Sequence, residues 1–185
     1  PGEIAGDGID NDGNGYIDDI NGIDAWDGDT IPQDLNGHGT HVSGTVSAVG
    51  DNGIGVTGVN WNAKIMPLRI CGPANACSVT AAVEAIDYIT TMKSTYGVNI
   101  AASNNSWGGY FFSQALFDAI DAQIDAGVVF VASAGNDSND NDFFPAFPAS
   151  YDLDGIISVA ATDDDDLLAG FSNFGLTSVD IAAPG

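Results

Sequence analysis

The amino-acid sequence predicts an α/β domain of three layers, a mainly parallel sheet with helices on both faces. Three observations carry that prediction. "VVFVASAG" (128–135) and "GIISVAAT" (155–162) are continuous apolar runs of strand length, the pattern of strands buried on both faces. Elsewhere in the chain, apolar residues recur at helical spacing. Helices alternating with fully apolar strands build a parallel sheet, because each parallel connection needs a crossover.

The elements follow in order. Residues 1–37 are rich in Gly, Asp and Asn and read as irregular, apart from a short strand within 20–25. Val42, Val46 and Val49 then recur at helical spacing, with the helix expected to end at Gly50. "AKIMPLRI" (63–70) reads as a buried strand. Ser78 is a candidate cap for a helix whose stripe is Val79, Ala82, Val83, Ile86 and Ile89. "VNIAASNNS" (98–106) reads as a strand running into a polar loop. Leu116, Ile120 and Ile124 mark a third helix, stopped at Gly127. Sites in open α/β sheets form at the carboxyl ends of strands, which puts "SNNSWGG" and "SAGND" on the functional edge. No repeat or linker divides residues 1–185, which read as part of one domain. Both "PGEIAGDG" and "VDIAAPG" read as mid-domain loop, so both ends are expected to be cut points.

Composition narrows the partners. The 185 residues suffice for one core, and 44% hydrophobic residues exclude a disordered acidic polymer. Against 26 acidic residues stand only Lys64, Arg69 and Lys93, for a net charge of −23. Such a field repels nucleic acid and anionic membranes, so neither is an expected partner. Solvation in salty or cold surroundings is the plain reason for most of the carboxylates. No apolar run approaches the length of a membrane span, and residue 1 opens no signal peptide. Cys71 and Cys77 flank a five-residue loop. A pair this close points to a local disulfide and an oxidising, extracellular compartment, with free thiols as the alternative.

"DNDGNGYIDDIN" (10–21) invites a metal reading, as an acidic loop at about 7–21. Against an EF-hand loop, Asp10, Asp12 and Asn14 take the first three ligand positions. Gly15 makes the sharp turn, Tyr16 offers its carbonyl, Ile17 is the apolar residue and Asp18 the water-bridged ligand. The last position holds Asn21 where the bidentate Glu belongs, which predicts weaker affinity or a ligand from Asp19 or elsewhere. Hard oxygen donors select Ca²⁺ over zinc. The plain alternative is an acidic, glycine-rich surface loop.

Both histidines lie in "DLNGHGTHVSGT" (34–45). On chemistry alone, His38 and His41 at i, i+3 are open to three readings: metal ligands, a general base with a neighbour, or ordinary histidines. The string "NGHGTHVSGT" resembles the histidine motif of the subtilisin-like serine proteases, the subtilases. Further resemblances follow in the family's order: "GIGVTGVNWNAKIMPLRI", "NNSWGG", "VVFVASAGND" and the stretch from "FPASYDLDG" to "VDIAAPG". Together they span about residues 36–185.

The resemblance implies a subtilisin-like fold and assigns roles. His38 matches the catalytic base, and His41 a non-catalytic position. Asn136 matches the side chain that stabilises the tetrahedral oxyanion; in subtilisin such a donor is worth about 2.7–4 kcal/mol. Ser106, Trp107 and Gly108 match the strand that pairs with extended substrate. Ser133, Ala134 and Gly135 match a wall of the specificity pocket, where small residues leave room for a large apolar group. Asp34 matches a neighbouring subsite that would favour basic groups, and the Cys71–Cys77 loop would border the same cleft. "GDNGIGV" matches a calcium loop of the family, with Asn52 giving its side chain and Gly50, Ile54 and Val56 their carbonyls.

The family's D-[ST]-G aspartate and its G-T-S-M-A-like serine are absent from these residues. Asp18, Asp19 and Asp24 lack the aspartate's context. The resemblance therefore implies a secreted, Ca²⁺-stabilised endopeptidase acting on proteins or peptides, monomeric, with its aspartate and serine outside this chain. The 185 residues alone are expected to be inactive and marginally stable, with the rest of the catalytic domain as a further partner. Two alternatives remain: a catalytically inactive calcium- or peptide-binding module, and a metallohydrolase in which further ligands join His38 and His41.

Overall fold

A computed structural model describes residues 2–74 and 76–185. The chain forms two compact units, Pro1–Ala85 and Ile86–Gly185.

In the first unit, β1 (Ile23–Asp24) pairs parallel with β2 (Leu68–Arg69). The expected buried strand 63–70 is thus reduced to two half-buried residues, and Ile65 is exposed. Its ladder is short because its partner is only two residues long. What fixes this pair is charge. Asp24, 2% exposed, takes Arg69 on Oδ2 and the amides of Trp26 and Asp27 on Oδ1. Arg69 also reaches Asp27 Oδ2 at 2.6 Å and the Cys71 carbonyl at 3.1 Å. A carboxylate so far from water is tolerable only with such partners. Cys71 and Cys77 form the expected disulfide.

Helix α1 (His38–Ser47) has no fully buried residue; Val42 and Val46 are half-buried, and Val49 lies exposed beyond the helix end. Segment 58–60 folds back on it. The amides of Gly58, Val59 and Asn60 donate to the carbonyls of Ala48, Thr45 and Val46, which would otherwise be orphaned at the helix end. A Cβ on Gly58 would meet the Ala48 nitrogen at 2.4 Å, so only glycine permits this return. Helix α2 (Val79–Ser94) spans the boundary between the units. Ser78 Oγ accepts from the Ala81 amide at its start. Its buried stripe runs through Ala82, Ala85, Ile86, Ile89 and Met92, while Val79 is exposed and Val83 half-buried.

The second unit is organised by four parallel strands: β3 (Ala102–Asn105), β4 (Val129–Ser133), β5 (Ile156–Thr162) and β6 (Ile181–Pro184), in that spatial order. The register sets Ser103 beside Phe130, Phe130 beside Ile156, and Val159 beside Ile181. Helix α3 (Gln114–Asp125) crosses from β3 to β4 and lies against β4. Ser113 caps it by accepting from the Leu116 amide, and Gly127, at φ +80°, ends it by donating to the Ile124 carbonyl.

The two apolar runs are not buried on both faces, as their sequence predicts. Burial alternates: Ser103, Asn105, Phe130, Ala132, Ile156, Ser158 and Ala160 form one buried face, while Val129 is exposed and Val131, Ile157 and Val159 are half-buried. Only one face is fully covered, and there Gln123 of α3, fully buried, donates to Ser103 Oγ at 2.9 Å.

The loop before β6 hangs on one carboxylate. Asp142 accepts from the amides of Leu176, Thr177 and Ser178 and from the Thr177 hydroxyl. The Ser178 side chain, then the Thr177 hydroxyl and amide and the Leu176 amide, hold its pKa at about 2.

Two outcomes are expected. Asp24→Ala should lower the unfolding free energy by about 3 kcal/mol, the low end for breaking a buried ion pair because Asp27 stays beside Arg69; a urea midpoint measures this. Asp142 is depressed, so its stabilisation is complete above the ordinary 3.8 and is lost as pH falls through about 2. Exchange of the Leu176–Ser178 amides should therefore accelerate between pH 4 and 2 in the native chain. In Asp142→Asn the acceleration should vanish.

Candidate active site

All four strands of the second sheet run the same way, so their carboxyl ends share one edge. A cleft of about 230 Å³ opens there. Ser106 after β3, Ser133, Gly135 and Asn136 from the end of β4, Ala161 of β5 and Gly185 after β6 are among its walls. The sequence expectation placed four of these residues at one site, and the cleft brings them together. Ala134 is different. It is fully buried, its carbonyl accepting from Asn141 Nδ2 at 2.9 Å and Asn173 Nδ2 at 3.0 Å, and it does not line the cleft. Through that carbonyl it ties β4's end to the loops of Asn141 and Asn173.

Trp107 and Gly108 also lie outside the cleft walls. Trp107 is half-buried and donates from Nε1 to Asn105 Oδ1. Gly108 passes so close to Phe147 that a Cβ would sit 2.9 Å from its carbonyl oxygen. Gly109 and Phe147 then exchange both backbone hydrogen bonds. The next residue, Tyr110, donates its phenol to Asp137 Oδ2 at 2.6 Å, a bond that raises its pKa.

In the first unit, His38 is the first residue of α1 and is exposed, as is His41. Asp34 organises this helix start. Its Oδ1 accepts from the Asn36 and Gly37 amides, and its Oδ2 from the amide and hydroxyl of Thr40. Those donors, the Gly37 amide first, hold its carboxyl well below the usual carboxylate range. Gly37, at φ +98°, has no side chain to cap the helix; Asp34 does it from three residues upstream, beside the positive end of the helix dipole. Its expected place in a substrate subsite therefore meets a carboxylate already engaged by four donors.

The acidic loop converges differently from an EF-hand. Asp10 accepts from the amides of Gly13, Asn14 and Gly15, and Asp18 from those of Gly6 and Gly8. Asp10 closes a local turn, whereas Asp18 ties the loop back to a segment 10 and 12 residues upstream. Ile17, the expected apolar position, is exposed, as is Asn21. Asn14 Oδ1 accepts from the Tyr16 amide and its Nδ2 donates to Asp19 Oδ2; Tyr16 Oη reaches Glu84. The carboxylates that do meet are Glu3, Asp12 and Asp19, with oxygens all within 4.8 Å and Asp19 buried. Glu3 also receives the amides of Asn11, Asp12 and Asp18. Three converging carboxylates, one of them out of water, repel one another, and an all-oxygen set of this kind fits Ca²⁺. In the second expected calcium loop, Asn52 Oδ1 accepts from the Ile54 amide, and Ile54 and Val56 are exposed.

Sequence reasoning missed Glu3 and Asn173. Glu3 precedes the loop it joins, and only folding brings it there. Asn173 stands in "GFSNFG", where a polar residue between aromatics was the one available signal.

A parallel α/β sheet with a cleft at its carboxyl edge is a scaffold in which strand-end loops carry the site. The Subtilase family profile matches residues 4–185, and the chain belongs to that family. It is 35% identical over 166 residues to thermitase of Thermoactinomyces vulgaris, covering 90% of this chain and 55% of thermitase. It is 35% identical over 167 residues to subtilisin DY of Bacillus licheniformis, covering 90% and 57% respectively. Among solved structures, a cold-adapted subtilisin-like serine proteinase superposes with a TM-score of 0.74 at 31% identity, covering 89% of this chain and 54% of its own. The expected subtilisin-like α/β fold is thereby established. The chain spans about half the length of the curated relatives it matches. Among the described residues, no helix is long and apolar enough to cross a membrane.

Asp34→Ala should loosen the first turn of α1 by about 1 kcal/mol, the usual loss for a helix cap. Faster exchange of the Gly37 and Thr40 amides, with the β3–β6 amides unchanged, is the expected signature.

Proposed function

We propose that this chain is the central part of a secreted, calcium-stabilised serine endopeptidase that cleaves proteins or peptides by acyl transfer. The observation that carries the reading is Asn136: a side-chain amide at the end of a central parallel strand, on the wall of a cleft that also gathers Ser106, Ser133 and Gly135. In this reading His38 takes the proton from a serine hydroxyl as that oxygen attacks the peptide carbonyl, then returns it to the leaving amine. Asn136 donates to the oxyanion as the carbonyl becomes tetrahedral. The aspartate and serine come from the part of the relatives' length that this chain does not cover. Ser106, Trp107 and Gly108 take the substrate backbone. Ser133 and Gly135 leave room for a large apolar side chain beside them.

Calcium enters as a structural ion. Glu3, Asp12 and Asp19 would hold it, and it would neutralise their mutual repulsion and fix the acidic loop. Cys71–Cys77 and homology to subtilases support an extracellular setting.

Two experiments test the reading. Incubation of the full-length protein with a fluorophosphonate should add one probe adduct by intact mass, and His38→Ala should abolish it. Absence of any adduct would instead favour an inactive calcium- or peptide-binding module. Calcium at about a hundredfold excess over its Kd should add about 2.7 kcal/mol to the unfolding free energy, and Asp19→Asn should remove most of that increment.

A further inference from the structure

The loop that carries Asn136 is gripped on both sides by one side chain from another loop, that of Asn173. Asn173 is 0% exposed and uses all four hydrogen-bonding positions of its amide. Its Oδ1 accepts from the Asp137 amide at 2.8 Å and the Asn139 amide at 3.1 Å. Its Nδ2 donates to the Ala134 carbonyl at 3.0 Å and to Asn141 Oδ1 at 3.1 Å. Ala134 and Asp137 bracket the dipeptide Gly135–Asn136, so one planar group grips the chain on both sides of the proposed oxyanion donor. Backbone bonds reinforce the grip: the Asn173 amide donates to the Gly135 carbonyl, and the Ser138 amide to that of Phe171. Gly135 completes the fit. It sits at φ +116°, and a Cβ there would lie 2.3 Å from Asn173 Nδ2.

From this geometry we infer that Asn173 is a positioning residue, which fixes the Gly135–Asn139 loop and thereby aims the Asn136 amide into the cleft. The inference rests on the reading of Asn136 as the oxyanion donor. An amide is suited to the task where a carboxylate or hydroxyl is not. The site asks for two acceptor positions on one atom and two donor hydrogens on another, in one plane, without a buried charge. A donor pre-aimed in this way needs no rearrangement as the oxyanion forms, which is the condition for electrostatic stabilisation to act on the transition state.

The test is a double-mutant cycle in the full-length protease. Asn136→Ala, Asn173→Ala and the double variant are assayed for kcat and KM on one peptide substrate, with hydrogen exchange of residues 134–141 followed in each. Asn136→Ala should lower kcat about 10²- to 10³-fold, the loss known for such a donor in subtilisin. Asn173→Ala should lower kcat about 10- to 100-fold, as small misplacements do, leave KM nearly unchanged and speed exchange of the loop. In the Asn136→Ala background the same change should cost less than about twofold further, because there is no donor left to aim. Where Asn173→Ala fails to fold, Asn173→Ser takes its place in the cycle. The inference is overturned if Asn173→Ala leaves kcat within about twofold of the parent, or if it lowers kcat by the same factor in both backgrounds, the mark of a purely structural role. Should Asn136→Ala itself leave kcat unchanged, the reading of Asn136 as donor is what falls, and the inference with it.

Discussion

The constraint on which the rest depends is the parallel backbone ladder of β3, β4, β5 and β6. Antiparallel neighbours would send alternate loops to opposite edges. Parallel strands deliver every carboxyl end to one edge, so residues as distant in sequence as Ser106, Asn136 and Gly185 come to line one cleft. The strands themselves are short, two to seven residues among the described elements. Much of the remaining order comes from side chains that bond to loop backbone, with Asp34, Asp142 and Asn173 each gathering several partners.

The fold was legible in the sequence where periodicity and punctuation agree. Leu116, Ile120 and Gly127 announce α3, and the structure ends the helix through that glycine. The two apolar runs were rightly read as strands of a parallel sheet; within these residues one of their faces is buried and the other half-buried or exposed. Residue type records a preference for leaving water, not whether something is there to cover it; Val129 and Ile181 are apolar and exposed. The same holds for "AKIMPLRI", whose apolar residues outnumber the two ladder positions that β1 can pair.

At the candidate site, residues whose place follows from local sequence were legible: His38 at the start of α1, Asn136 after β4. Residues that act across the fold were not. Asn173 lies 37 positions beyond Asn136, and no spacing rule connects them; Glu3 meets Asp19 only after a chain reversal. In the EF-hand register, the carboxylates at Asp10 and Asp18 accept from backbone amides. A short acidic side chain serves equally well as a metal ligand or as the acceptor of a turn, and sequence does not say which.

That double use explains something about the chain's charge. All but two of its 26 acidic residues are aspartate, the exceptions being Glu3 and Glu84. If acidity served solvation alone, glutamate would do as well. A backbone amide two or three residues ahead, however, is within reach of a carboxylate on one methylene, while a second methylene overshoots it and adds a torsion to be frozen. Asp7, Asp29, Asp140 and Asp163 all close such turns. The strong negative field is then in part a by-product of loop architecture: a protein that knots its surface with aspartate accumulates charge turn by turn, and that charge draws the cations of its medium toward it.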